Sequence, residues 1–226
     1  MAPIPTPGWF VTFLNGDDPE WGGVLISQDH VLTAKHAKYY DGLPARVGAE
    51  EGFETAGCVD IGGGGTDLRV IKISPSPKSH TPLPLKTLSD GPLAVYLANQ
   101  GGLGYLAERR GDCVAAFGCN DVCRKFYPKE RPNALCIEVQ DSPDVRSGDS
   151  GGPVLLNGEL VGILIASNSE CGCAHLPKKR QIVQTFTESI IGEVKKAKPT
   201  IDAVNQILLA FRRLFGGRRR RNAAGA

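Results

Sequence analysis

No window of about 18 consecutive apolar residues occurs in this 226-residue chain, so a transmembrane helix is excluded as its organising element. Its start, MAPIPTPGWFVTF, has no basic segment followed by an apolar stretch and reads as neither a secretory leader nor a membrane span. An intracellular protein, a mature fragment with a new initiator and a piece of a larger precursor all fit that start. Aromatic residues are scarce, at 7%, whereas glycine (28) and proline (16) are plentiful. That balance disfavours a long helical bundle and points to short strands joined by many turns. The seven cysteines, at 58, 113, 119, 123, 136, 171 and 173, are odd in number, which excludes a fully paired disulfide framework. Their spacing matches no familiar pair-of-pairs zinc pattern, so neither a metal nor a cofactor is expected.

What is present falls into three parts. Residues 9–14, 23–27, 30–34 and 67–73 are short apolar strands broken by Gly, Asp and Pro turns, giving a first β lobe over residues 1–84. Its last stretch, residues 74–84, carries prolines at 75, 77, 82 and 84 and is expected to connect two lobes without helix. Strands at 93–98, 112–118, 135–139, 153–156, 160–166 and 181–186 give a second β lobe, residues 85–194, with Asn157-Gly158 as a hairpin turn. The remainder, residues 195–226, is different: Ile201, Val204, Ile207, Leu208, Phe211, Leu214 and Phe215 recur at helical spacing, and four arginines follow from 218 to 221. This segment holds nine Lys/Arg against the single acid Asp202, so with the whole chain at +2 the first 194 residues carry about −6.

The chemistry-bearing segment is Ser147-Gly148-Asp149-Ser150-Gly151-Gly152-Pro153. A nucleophilic serine needs a tight, exposed turn, and glycines on both sides permit one. In such a turn the amides of Gly148 and Ser150 face a developing oxyanion, each donor contributing about 3 kcal/mol to lowering the barrier. A serine hydroxyl also needs a base within hydrogen-bond reach. Of four histidines, His36 follows the apolar strand HVLTA and opens a polar loop, where its ring can face a cleft; His30, His80 and His175 lie in turn or basic-loop settings. The base in turn needs a carboxylate on its second nitrogen. Asp67, opening DLRVIKI after four glycines, is the expected partner, with Asp60 as the fallback.

These blocks, in this order, resemble the trypsin/chymotrypsin family of serine proteases: WGGVLISQDHVLTAKHA around the histidine, TDLRVIKI around the aspartate and RSGDSGGPV around the serine. CRKFYPKERPNALC resembles the family's disulfide-closed loop before the serine and implies a Cys123–Cys136 bridge, and GELVGILIAS extends the likeness. The resemblance implies an all-β fold of two perpendicular antiparallel Greek-key barrels with a C-terminal helix and a basic tail. It implies a serine endopeptidase in which His36 is base and then acid, Asp67 orients it, Ser150 attacks, and the Gly148 and Ser150 amides form the oxyanion hole. Leu164, Ile165, Ala166 and Ser167 would pair with the substrate backbone. Asp144 falls where trypsin-like members carry the acid of the specificity pocket, which implies cleavage after Arg or Lys.

Departures from the family pattern also carry expectations. The cysteines that normally flank the histidine are replaced by Trp21 and Ala37, and Arg146 stands where another is common. With no Arg-Ile-Val-Gly-Gly activation site in the chain, Asp149 is expected to find a partner other than a freed amino terminus. Two further readings remain open: a protease fold used only for binding, and a membrane, nucleic-acid or protein partner reached through residues 199–221.

Overall fold

The computed structural model describes residues 2–62, 66–110, 133–141, 145–146, 148–167 and 180–216. Within them the chain forms two closed six-stranded antiparallel barrels and a long C-terminal helix, as expected. The first barrel comprises β1 (Phe10–Asn15), β2 (Asp18–Leu25), β3 (His30–Ala34), β4 (Pro44–Val47), β5 (Glu50–Ile61) and β6 (Leu68–Ser74), in the order β1-β2-β3-β6-β5-β4. The second repeats that order with β7 (Leu93–Leu97), β8 (Leu103–Arg110), β9 (Ala134–Val139), β10 (Pro153–Leu156), β11 (Glu159–Ser167) and β12 (Arg180–Thr185). Each barrel closes by pairing its first strand with its fourth, β1 with β4 and β7 with β10. Closure leaves no open sheet edge along the barrel wall.

Three strands, β4, β5 and β8, were not foreseen from the sequence. In β5 only Phe53, Thr55 and Ile61 are buried, so the stretch lacks the apolar run that marks its neighbours. β8 mixes the exposed Glu108 and the half-buried Arg109 and Arg110 into its second half, which breaks the apolar run. The expected strand at 112–118 lies outside the described residues. The Asn157-Gly158 hairpin forms as expected: φ is 51° at Asn157 and 83° at Gly158, and two successive positive φ values suit the twist of the flanking strands. The proline-rich connector is irregular and ties the barrels together, with Leu83 N donating to Leu25 O at 2.9 Å and Leu160 N donating to Pro84 O at 3.2 Å.

Each barrel has its own apolar centre. Val11, Phe13, Leu25, Leu43 and Ile73 fill the first, and Leu93, Leu97, Ile137, Val154 and Val183 fill the second. A third cluster joins them, with Phe10, Leu32 and Leu68 from one side, Tyr96, Leu155 and Ile163 from the other, and the terminal helix beneath. Trp21 and Ala37, the positions without cysteine, are both buried in the first barrel's cluster, so apolar packing serves where a crosslink is absent.

The helix α1 (Glu188–Gly216) starts at Thr187, whose hydroxyl accepts from Ile190 N at 3.3 Å. It buries Ile190, Ile191, Val194, Ala197 and Ile201 against the first barrel, chiefly β5. The terminal helix and the basic amphipathic segment form one continuous element that runs through Pro199. Proline removes the hydrogen bond to Lys195 O. The docked face on either side, from Val194 to Ile201, holds the helix in place, and Lys198 Nζ reaches Ile26 O at 2.8 Å.

Candidate active site

His36 lies two residues past β3, and Asp67 lies one residue before β6. These strands are neighbours with Ala34 opposite Leu68, so the ladder itself brings the two side chains together. Asp67 accepts from His36 N at 2.9 Å through Oδ1 and meets His36 Nδ1 at 2.8 Å through Oδ2. Two contacts from one residue fix both the ring's position and its rotation. The Asp67 carboxylate is buried, at 6% exposure, where an ionised group persists only with such partners. On the other side of the ring, His36 Nε2 lies 2.9 Å from Ser150 Oγ. Asp60, the fallback carboxylate, faces elsewhere and pairs with Arg69 at 2.7 Å and Lys35 at 3.3 Å.

Ser150 is held from both barrels. Its carbonyl accepts from Gly22 N in β2 at 2.9 Å, and the next amide, Gly151 N, donates to Leu164 O in β11 at 2.8 Å. The Gly22 carbonyl in turn accepts from the buried Thr33 hydroxyl at 2.7 Å. Gly148 (φ 98°) and Gly151 (φ 84°) flank the serine in conformations that favour glycine. A Cβ at Gly151 would come within 1.9 Å of Gly22 O, so the absence of a side chain there permits the contact between barrels. The Gly148 and Ser150 amides donate to no other described residue.

Asp149, 1% exposed, accepts from Asn99 N through Oδ1 and from Arg146 N through Oδ2, each at 2.9 Å. Its carboxylate thus ties the serine turn to the loop after β7 by backbone amides. Arg146 contributes its main chain to this contact. Gly22 and Asn99 are the site residues that sequence reasoning missed. For Gly22 a signal existed, since glycine inside a strand marks close approach of another backbone; a backbone donor such as Asn99 leaves no trace in side-chain identity.

β10 accompanies β11 as far as Ile163, Leu164 then bonds to the serine turn, accepting from Gly151 N and donating to Gly152 O at 2.8 Å each, and Ala166 and Ser167 pair with β12. Leu164 and Ile165 are buried. Asp144 and residues 168–179 lie outside the described residues. Cys136 is disulfide-bonded, and its expected partner, Cys123, also lies outside them. Cys58 is a free thiol in β5, and burial pushes its pKa up. Among the described residues no cluster of His, Cys, Asp or Glu is arranged to hold a metal.

Comparison with known proteins follows the same outline. A family model described as Trypsin matches residues 5–190. A relative from Craspedocephalus gramineus, snake venom serine protease 2C, is 28% identical over 194 residues, covering 74% of this chain and 75% of its own. Human kallikrein-4 is 33% identical over 132 residues, covering 55% of this chain and 52% of its own. Among solved structures, mouse neuropsin superposes with a TM-score of 0.61 at 21% identity, covering 87% of this chain and 96% of its own.

Proposed function

Since this chain belongs to the trypsin family and is a serine endopeptidase acting on peptide or protein substrates, we propose that it works through Ser150 as nucleophile, His36 as base and then acid, and Asp67 as the group that orients His36. The observation carrying this reading is the unbroken line from the Asp67 carboxylate to His36 at 2.8 Å and from His36 to Ser150 Oγ at 2.9 Å. With Asp67 on Nδ1, the neutral ring keeps its proton there and presents Nε2 as acceptor. As Ser150 Oγ bonds to the scissile carbonyl carbon, its proton passes to Nε2, and the carbonyl oxygen takes up negative charge facing the Gly148 and Ser150 amides. Collapse breaks the C–N bond, with the His36 proton going to the leaving amine. A water, deprotonated by His36, then cleaves the acyl ester and restores Ser150.

Substrate backbone adds alongside β11 past Leu164, whose own amide and carbonyl are taken by Gly152 O and Gly151 N, so that of the expected run Leu164 supports the serine turn instead of the substrate. Asp144, six residues before the nucleophile, is the proposed base of a pocket for Arg or Lys. A buried carboxylate unmet by a cation is costly, which gives discrimination a physical source. A chromogenic ester and a panel of fluorogenic peptides test both levels. A burst matching the enzyme concentration, absent in Ser150→Ala, is expected, with Arg/Lys peptides turned over fastest and Asp144→Asn losing that preference. A burst that survives Ser150→Ala overturns the nucleophile assignment, and equal rates on Leu and Arg peptides overturn the pocket assignment alone.

A further inference from the structure

The first half of α1 is accounted for by its packing, whereas Val204 and Ile207 farther along it are exposed. Along the helix, Val194, Ala197, Ile201 and Asn205 form the row facing the barrel, and Ile201 and Asn205 lie over Gly57 of β5. In sequence that row continues to Leu208 and then Arg212, a residue that burial against the barrel would penalise. A second row, rotated by about a quarter turn, begins with Val204 and Ile207. Both are exposed, at 50% and 55%, and are the two most exposed large apolar residues among those described. The same spacing carries this row on to Phe211, Leu214 and Phe215. After Asp202 there is no acid, while arginines stand at 212, 213 and 218 to 221.

We propose that the distal part of α1 is a docking surface for an anionic phospholipid bilayer, lying in the headgroup plane with Val204 and Ile207 entering the acyl boundary. An exposed apolar row on a helix rich in arginine and free of acid is the pattern of an interfacial helix. The competing occupants fit less well. Nucleic acid takes arginines but offers no apolar phase for Val204 and Ile207. A second copy would bring six arginines against six of the same sign. No helix among the described residues is long and apolar enough to cross a membrane, so the contact is with the surface. The active-site seam is formed by β2, β3, β6 and β11 and the serine turn, whereas α1 rests chiefly on β5, so bilayer attachment leaves the catalytic groups intact.

The test is co-sedimentation of the full chain with phosphatidylcholine vesicles with and without about one third phosphatidylserine. Parent protein is compared with Val204→Asp/Ile207→Asp and with Arg212→Gln/Arg213→Gln. Binding only to the phosphatidylserine vesicles, weakening with salt and reduced roughly tenfold or more in both variants, is expected. Val204 and Ile207 are exposed, so their variant keeps the parent's melting temperature and hydrolytic rate, which separates failure here from failure of the serine chemistry. Equal binding to neutral vesicles, absence of binding to both, or full binding by Val204→Asp/Ile207→Asp overturns the proposal. So does capture of an oligonucleotide duplex at concentrations where anionic vesicles do not bind, or self-association that both variants abolish.

Discussion

Replacing Gly151 with alanine should damage the site without touching any group that reacts. The new Cβ would sit 1.9 Å from Gly22 O and 2.3 Å from Thr33 Oγ1. Against an ordinary contact of about 3.2 Å, the overlap with Gly22 O is about 1.3 Å, and neither atom belongs to a flexible side chain that can swing away. Relief requires the serine turn and β2 to separate, stretching the 2.9 Å bond from Gly22 N to Ser150 O. The left-handed backbone at φ 84° adds about 1 kcal/mol for a residue with a Cβ, and overpacking adds about 1–3 kcal/mol. A total of about 2–4 kcal/mol lowers the melting temperature by roughly 5–15 °C in a protein of this size. Displacing Ser150 by about 1 Å from His36 slows the reaction by about 10²-fold. Gly158→Ala is the control, since its φ of 83° is equally left-handed but nothing lies within 4 Å of the added Cβ. It should lose about 1 kcal/mol of stability and no activity. The assay is ester hydrolysis alongside thermal melting, and a Gly151→Ala enzyme that matches Gly158→Ala in both would show that the serine turn and β2 tolerate a Cβ there.

Asp67→Asn should leave the fold intact and cut kcat by about 10³–10⁴-fold, because an amide no longer holds the His36 proton on Nδ1; full activity in a peptide assay would remove Asp67 from the mechanism. Asp149→Ala should abolish turnover by freeing the serine turn from Asn99, while Arg146→Ala should change turnover less than about twofold because its contact is through the backbone; a large loss in Arg146→Ala would show that its side chain matters. His30 is buried beside Ser27, Asp29, Lys72 and the helix residue Asp202, and burial lowers its pKa below 6.5 despite the two carboxylates. The unfolded chain therefore binds the proton more readily. His30's contribution to stability is fully present above pH 6.5 and is lost as pH falls from there through its lowered native pKa. Melting curves between about pH 7.5 and 5 should show the parent losing more stability than His30→Gln, and parallel losses would contradict this.

The barrels and the seam between them were legible because the signals there are strong and local. HVLTA is buried throughout and DLRVIKI sets Leu68, Val70, Ile71 and Ile73 around Arg69 and Lys72, and the ladder between them carries His36 and Asp67 into contact without further information. Asn157-Gly158 could be read as a tight turn because few residue pairs accept two positive φ values. Less was visible in β5, where Glu50, Glu51 and Glu54 face solvent and only the partnership with β4 and β6 makes the stretch a strand. The passage of α1 through Pro199 was hidden for a related reason: docking of Ile190, Val194, Ala197 and Ile201 against the first barrel compensates for a missing hydrogen bond that local rules treat as a stop. Within the site, expectations rested on side-chain type and on the glycines that flank the serine turn. Ser150, His36 and Asp67 stand out by type, whereas the Asn99 and Arg146 amides act through a group that every residue but proline has.

The claim that Ser150 is a nucleophile activated by His36 is tested most directly by intact mass after incubation with a fluorophosphonate. One covalent adduct is expected on the parent chain and none on folded Ser150→Ala or His36→Ala protein. An unmodified, folded parent chain, or an adduct that persists in Ser150→Ala, would contradict it.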